Sequence, residues 1–316
     1  MIAASALLAA VPVFPTGATV SVTTGTSVIY GMARELDYAP GYLQSELDWA
    51  LEPVFLFGTA LEVRTPMGFL ASVEARAGIP AKSGYITDSD FLNGDGKKTN
   101  FSQHDCYSER AVLVDAKVGW RFPLLGWISL EPFAALGLMS FKWSARAGYL
   151  QYPVQTTFPP PYPYWSASDP KTPVYGTGII YAQDYLIPSA GVSIGFHFLD
   201  RFDASLSFAL TPFVFCNDTD NHLMRLIDFT ENMQGGLLLE PGLSLDFTVT
   251  ENARLSLDAS FRHITGLLGD SWEMGTGQQG STGQELDPGA VAGPFANSGG
   301  AALDALSVAL GFTVAL

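Results

Sequence analysis

Two short stretches of this chain combine acidic and imidazole side chains at spacings that could support hydrolysis. Asp88 and Asp90 stand two residues apart at the end of an alternating segment, and Asp220 stands two residues before His222. Because alternate residues of an extended strand point to the same face, the members of each pair would lie side by side. Two carboxylates that close can share a proton, and an imidazole oriented by a carboxylate can act as a general base near neutral pH. Together these groups could activate a water molecule.

The same spacings also occur where no chemistry is done. An Asp-x-Asp at a strand end often only adds solubility, and the side chains of an Asp-x-His in a loop more often only contact solvent than form a catalytic pair. Two further titratable clusters, at residues 35–37 and at His104-Asp105, fall near strand ends as well. A catalytic interpretation therefore depends on a fold that brings Asp88 and Asp90 close to Asp220 and His222.

Composition limits the possible partners. The chain has 316 residues, of which 47% are hydrophobic, and its 16 basic and 31 acidic residues give a net charge of −15. This acid excess argues against nucleic-acid binding and favours basic peptides or proteins as partners. No apolar run reaches the ~18 residues expected of a membrane-spanning helix.

The N-terminal residues differ in character from the rest. Residues 2–10 resemble the apolar region of a secretory signal, although a basic start is missing. We therefore assign residues 1–17 to a signal-peptide remnant or N-terminal segment and residues 18–316 to a single domain.

From Ala18 onwards, apolar residues recur at every second position in long segments. In the last segment, Leu306, Val308 and Leu310 alternate with Ser307 and Ala309. About ten such segments are present, each longer than the ~9–11 residues that cross a bilayer as a strand. Short turns, such as the one at 64–68, alternate with long loops, such as those at 92–105 and 152–173. The sequence predicts an all-β protein, a transmembrane antiparallel β-barrel with long extracellular loops in an outer membrane.

Strand parity gives different predictions for the two candidate pairs. Counted in steps of two from the inward-facing Glu74, Asp88 and Asp90 face the barrel interior. Counted from Ser205, the acidic stretch at 218–222 faces outward, and we expect it to form a loop between Cys216 and Leu223. A bulge near Pro212 is required to turn Asp220 and His222 inward.

Six stretches, in this order and at nearly this spacing, resemble the omptins, the outer-membrane endopeptidases of Gram-negative bacteria. They are Gly31–Tyr38, Ser45–Trp49, Thr87–Asp90, Trp143–Gly148, Asn217–His222 and Asn252–Leu255. The resemblance covers nearly the whole chain after Ala18. It implies a ten-stranded barrel with its active site in the extracellular mouth.

The resemblance also implies roles for the two pairs. Asp88 and Asp90 match the aspartate pair of the family, and Asp220 with His222 matches its aspartate–histidine dyad. In that family, pair and dyad together hold the water that attacks a peptide carbonyl. His222 would accept a proton from this water, and no cofactor or metal is implied.

Substrate binding follows from the same resemblance. Glu35 and Asp218 match the acids with which omptins bind a basic side chain next to the scissile bond. Independently of the family, a guanidinium or ammonium group in a partly desolvated acidic pocket gains charge-assisted hydrogen bonds. Positions where some omptins bind lipopolysaccharide phosphate hold Leu136, Leu138 and Ser140 here, which argues against a dependence on lipopolysaccharide.

Three alternatives remain open at this point. A catalytically inactive barrel could serve as an adhesin or receptor through its long loops, and a small passive pore could use the same lumen. A metal site could be built from His104, Cys106, Cys216 and His222, although this spacing fits no zinc pattern. The two cysteines could pair or remain free.

Overall fold

The computed structural model describes residues 17–154, 161–277 and 285–316. Residues 1–16, which hold almost all of the proposed signal segment, lie outside the described residues. The strands are β1 Thr19–Ala39, β2 Tyr42–Arg64, β3 Phe69–Gly78, β4 Ala81–Asp90, β5 Asn100–Trp120, β6 Phe122–Leu125, β7 Ile128–Gln151, β8 Thr172–Phe198, β9 Phe202–His222, β10 Ile227–Thr250, β11 Ala253–Gly275 and β12 Val291–Ala315. Within the described ranges, no helix is long and apolar enough to cross a membrane.

The strands close into one antiparallel barrel. β1 pairs with both β2 and β12, and β5 pairs with β7 past the short β6, so the strands of the described residues form a closed ring. β3 and β4 are two halves of one long strand interrupted at Ile79-Pro80, where the second half begins after a residue that cannot donate to the ladder. Counted this way, ten long strands surround the lumen. The predicted membrane β-barrel of about ten strands is confirmed.

Along β9, apolar and small polar side chains alternate between the outer and the inner face of the barrel. Leu206, Phe208 and Leu210 are exposed on the outer wall, whereas Ser205 and Ser207 line the interior. Apolar side chains on the outside and small polar ones inside are stable only where lipid surrounds the wall. Near the end of β9, the outward positions become polar, with Asn217 and Thr219 exposed. The apolar band of the outer wall therefore ends before the last six residues of β9.

A β-bulge in β9 reverses the parity of its last part. Pro212 and Phe213 are both exposed, while Thr211 and Val214 on either side of them are both buried. These two residues stand opposite the single Leu237 of β10. The Phe213 amide, which has no ladder partner there, donates to Thr211 Oγ1 at 3.1 Å. The predicted bulge near Pro212 is confirmed, and it turns the following acidic residues inward.

Three loop predictions were wrong at their edges. The loop predicted at 92–105 is shorter, because β5 begins at Asn100. The stretch between Cys216 and Leu223 is not a loop but the end of β9, where Asp220 pairs with Tyr181 of β8 and Phe229 of β10. The final strand begins at Val291, within the Gly-rich stretch 275–300, although the alternation in the sequence predicts a strand only around Leu306. These errors have one cause. Polar residues in the sequence indicate where a strand leaves the lipid, but the strand itself continues as long as its backbone has hydrogen-bond partners, and these extend beyond the lipid.

The predicted inward orientation of Asp88 and Asp90 is confirmed, but the register behind it shifts twice. Between β3 and β4 the inward parity moves from even to odd, so that Ser83 faces the interior and is fully buried. A bulge at Gly84, whose φ is +106°, then restores the even parity. The two shifts cancel, which is why counting from Glu74 gave the right face.

A layer of aromatic side chains crosses the interior, nearer to the strand ends that carry the longer connections than to the short turns. Trp49 stacks on Tyr181 at 5.1 Å, and Trp143 lies 5.9 Å from Tyr181 and 5.4 Å from Phe141. All four are almost completely buried, and they belong to one apolar cluster to which every long strand contributes. Between this layer and the barrel end with the short turns lies a cavity of about 530 Å³ that is lined by many charged and small polar side chains. On the other side, between the strand ends that carry the longer connections, lie the candidate site residues.

Candidate active site

The dyad predicted from the Asp-x-His spacing is present at the end of β9. His222 Nε2 lies 2.5 Å from Asp220 Oδ2, and Asp220 is only 2% exposed. The edge of Phe229 packs on the imidazole with ring centroids 5.4 Å apart. Burial alone would lower the pKa of His222, but the charge and hydrogen bond of Asp220 raise it above its ordinary value. Nδ1 remains the ring nitrogen that is not engaged by Asp220.

The aspartate pair lies at the end of β4, held by neutral side chains. Asp88 lies within hydrogen-bond distance of Ser45 Oγ and Ser102 Oγ, both at 3.4 Å. Asp90 Oδ2 accepts one from Asn100 Nδ2 at 2.9 Å. Burial, reinforced by the charge of Asp90, raises the pKa of Asp88 to about 7. The pair therefore holds a proton close to neutral pH.

The barrel brings pair and dyad together across its interior. The charges of His222 and Asp220 act on Asp88, and that of Asp88 acts on His222, although β4 and β9 are not neighbours in the sheet. At this level the outer wall is polar, with Thr219 exposed on β9 and Asp105 on β5 paired with a lysine. The four side chains therefore lie beyond the apolar band.

Glu35 and Asp218 lie next to the dyad, on the aromatic layer. Glu35 is 4% exposed and accepts a hydrogen bond from Trp49 Nε1 at 3.3 Å. Asp218 is 3% exposed, and its Oδ2 accepts one from the Tyr181 hydroxyl at 2.7 Å. Burial raises the pKa of both carboxyls well above the usual range, and the neighbouring acids add to the effect. The two carboxyls form an acidic floor that a cation would stabilise.

Two further acids of this region were missed as site residues. Glu231 on β10 is the cross-strand neighbour of Asp218 and is 3% exposed, and its Oε2 has no hydrogen-bond partner among the described residues. Gly299 leaves room for it, because a Cβ there would lie 2.3 Å from that oxygen. Burial and then the charge of Asp220 raise the pKa of Asp37 to about 6. The sequence signal that could have identified both acids is a charged residue at an inward-facing position of a predicted strand.

The side chains of His104 and Asp105 lie on opposite faces of the barrel wall. Asp105 faces outward and pairs with Lys82 at 2.6 Å. His104 faces inward, with Nδ1 2.5 Å from the Ala147 carbonyl oxygen and Nε2 3.1 Å from Ser102 Oγ. Burial lowers its pKa. Only the histidine is therefore connected to the candidate site.

The metal site considered from sequence is not assembled. Cys106 contacts the Ser83 hydroxyl, and Cys216 contacts the Asn217 carbonyl oxygen of its own strand. Both are buried free thiols. Over residues 17–154, 161–277 and 285–316, no three His, Cys, Asp or Glu side chains are grouped so that they could hold a metal ion.

The raised pKa of Glu35 predicts a pH-dependent stability. An acid whose pKa is higher in the folded chain stabilises the fold below its unfolded pKa, and this contribution is lost as the pH rises through the folded pKa. Gln cannot ionise, so Glu35→Gln should unfold at a higher temperature than wild type at about pH 8 and at the same temperature at about pH 4. Each kcal/mol corresponds to about 2–4 °C. Thermal melts in detergent, with the exposed Glu251→Gln as control, would measure this, and an equal effect at both pH values would contradict it.

Comparisons with known proteins agree with this fold. The profile described as the Omptin family matches residues 16–298. The chain is 23% identical over 252 residues to the plasminogen activator of Yersinia pestis, which covers 76% of this chain and 75% of that protein. The structure is similar to the outer membrane protease OmpT from Escherichia coli, with a TM-score of 0.79 and 15% identity, covering 94% of this chain and 97% of that one. The matched range includes every candidate site residue named above.

Proposed function

Because the chain belongs to the omptin family and is therefore an outer-membrane protease, we propose that it hydrolyses peptide bonds next to basic residues with an activated water molecule. The aspartate pair and the aspartate–histidine dyad would hold this water between them. The observation that carries the proposal is the 2.5 Å contact of His222 with Asp220, on a dyad whose charges act on Asp88 across the barrel.

The reaction begins with proton transfer from the water. His222 Nδ1 accepts the proton while Asp220 holds Nε2 and stabilises the imidazolium that forms. The Asp88/Asp90 pair binds the same water and, since it holds one proton, donates a hydrogen bond to the carbonyl oxygen as negative charge develops there. Water itself is the nucleophile, so no acyl-enzyme forms.

Glu35 and Asp218 would bind the basic side chain of the substrate. Two buried carboxyls with raised pKa values are poorly satisfied without a counter-charge, and a guanidinium or ammonium supplies that charge together with several N–H donors. The net charge of −15 steers basic peptides to the barrel. Substrates of this kind are the proposed partners, with outer-membrane lipid around the wall.

We place the active site on the extracellular side. The connections at the site end include residues 91–99 and 276–290, whereas the opposite end has turns as short as Glu251-Asn252. Outer-membrane barrels typically keep short turns on the periplasmic side and long loops outside. Leu136 and Leu138 are exposed on the outer wall, where they offer no charge to a lipid phosphate. The proposed activity is accordingly independent of lipopolysaccharide.

The test is cleavage of quenched peptides that differ only in having Arg, Lys or Ala before the scissile bond. Wild type refolded in detergent should cleave the two basic peptides equally well with and without lipopolysaccharide. Asp218→Asn should lower kcat/KM for them by about 10–100-fold, since it removes a charge-assisted contact of about 1.5–3 kcal/mol. The loss should appear mainly in KM.

Asp228→Asn is the matched control, because Asp228 lies on the adjacent β10 and alternates with the inward Ile227 and Phe229. It removes one charge without touching the floor of the site, so it should behave as wild type. Equal losses in both variants would remove Asp218 from substrate binding. Absence of cleavage by wild type in every condition would favour the inactive adhesin or receptor.

The small passive pore is the less favoured alternative. The aromatic layer of Trp49, Trp143, Tyr181 and Phe141 fills the interior between the two ends. Planar-bilayer recording should therefore show little conductance, and a large steady current would support the pore.

A further inference from the structure

A buried histidine that the proposed mechanism does not use is connected to Asp88. His104 on β5 is 7% exposed, with Nδ1 2.5 Å from the Ala147 carbonyl oxygen and Nε2 3.1 Å from Ser102 Oγ. The same Ser102 oxygen lies 3.4 Å from Asp88 Oδ2. His104, Ser102 and Asp88 therefore form a continuous line of hydrogen bonds, which we name the His104 line.

The hydrogens of this line cannot be distributed freely. A carbonyl oxygen only accepts, so His104 Nδ1 carries a hydrogen and Nε2 is an acceptor whenever the ring is neutral. Ser102 has one hydroxyl hydrogen, which points either to Nε2 or to Asp88. If it points to Nε2, the contact with Asp88 is a hydrogen bond only when Asp88 is protonated. If it points to Asp88, Nε2 must carry a hydrogen and His104 is a cation. All contacts are satisfied when the line holds one mobile proton.

We propose that His104 is a positioning residue for the catalytic proton of Asp88 and acts through Ser102. In the transfer, the Asp88 proton passes to Ser102 Oγ as the Ser102 hydrogen passes to His104 Nε2. The products are a carboxylate, a restored hydroxyl and an imidazolium, so the total charge of the line does not change. The inference rests on the proposed function, in which the proton that Asp88 directs at Ser102 in the resting site turns to the developing oxyanion when substrate is bound.

The resting place of the proton follows from burial. Burial lowers the pKa of His104, and burial together with Asp90 raises that of Asp88, so the proton rests on Asp88. The other titratable groups that act on Asp88 are Asp90 beside it, Asp220 and His222 from β9, and Tyr152 after β7. From β2 the neutral Ser45 faces it. None of these groups changes in variants of His104, so a shift in the titration of Asp88 would report the line itself.

Two variants interrupt the line with opposite consequences. In His104→Leu, the Ser102 hydrogen loses its acceptor at Nε2 and donates to the Asp88 carboxylate, which favours ionisation. The basic limb of the kcat/KM profile should move down by about one pH unit. In Ser102→Ala the carboxylate loses a donor, and the same limb should move up. Asp105→Asn, next to His104 but facing outward, should leave it in place.

A second readout makes the inference independent of catalysis. The difference in unfolding temperature between wild type and Asp88→Asn, followed against pH, reports the ionisation of Asp88. The wild-type chain should lose stability relative to the variant as pH rises through the folded pKa of about 7. His104→Leu should move this transition down, and so should His104→Phe, which also has no acceptor for the Ser102 hydrogen, if leucine does not fold.

The outcomes separate the two proposals. If wild type cleaves no peptide but the stability transition moves with His104, the protease mechanism fails and the His104 line stands. If wild type cleaves normally and His104→Leu or His104→Phe lowers kcat without moving either the rate profile or the stability transition, His104 only packs the wall and the inference is overturned. Equal downward shifts in Asp105→Asn would overturn it as well.

Discussion

Replacing His222 by Asn is expected to lower kcat about 10²–10⁴-fold, the usual contribution of a positioned general base. Asn fills a similar space next to Phe229 but cannot take a proton from water. KM for a basic peptide should change little, because Glu35 and Asp218 are untouched. Initial rates on the quenched Arg peptide, at saturating and limiting concentrations, would separate the two parameters.

The chain offers a matched control for this substitution. His263 forms a second histidine–aspartate pair, with Nδ1 2.6 Å from Asp304 Oδ1, on the outer wall. His263→Asn should keep full activity. Asp220→Asn should be as damaging as His222→Asn, and the double variant should be hardly worse than either, because the two residues act as one unit. Fully additive losses would contradict a shared role.

The histidine–aspartate pairs show what the sequence could and could not reveal. His222 with Asp220 stands out because the two residues are two apart on one strand. The other contacts, His263 with Asp304 and His197 with the Asp203 across a short turn, depend on strand pairing. Local spacing predicts contacts within a strand, whereas contacts between strands require the register.

The alternation of strand faces was informative even where it predicted an outward orientation for the candidate site residues. A regular strand from Ser205 would have placed Asp220 and His222 in contact with solvent outside the barrel, and this conflict predicted the bulge at Pro212 and Phe213. Glu231 produced no such conflict. It occupies an inward position at which either a lumen ion pair or a site acid would fit. What distinguishes the two is a buried carboxylate oxygen that has no hydrogen-bond partner in the part of the chain that the structure describes.

Asp88→Asn is expected to change the pH dependence of catalysis as well as its rate. In the proposed mechanism the active form has a neutral His222 and a protonated Asp88. The raised pKa of His222 places the acid limb of kcat/KM above its ordinary position, and the pKa of Asp88, about 7, sets the basic limb. Wild type should therefore show a bell-shaped profile.

In Asp88→Asn the group opposite the dyad is neutral at every pH. The basic limb set by Asp88 should disappear, while the acid limb should shift slightly downward, because the variant removes a negative charge that raises the pKa of His222. The amide donates a weaker hydrogen bond to the oxyanion than the carboxylic acid does, so kcat at the optimum should fall, by at most about 10²–10³-fold, which is what the loss of an oxyanion donor costs. Asp105→Asn, on the outer wall, should keep the bell. A variant that retained the wild-type basic limb would show that another group sets it, and the shared proton would then have to be sought on Asp90.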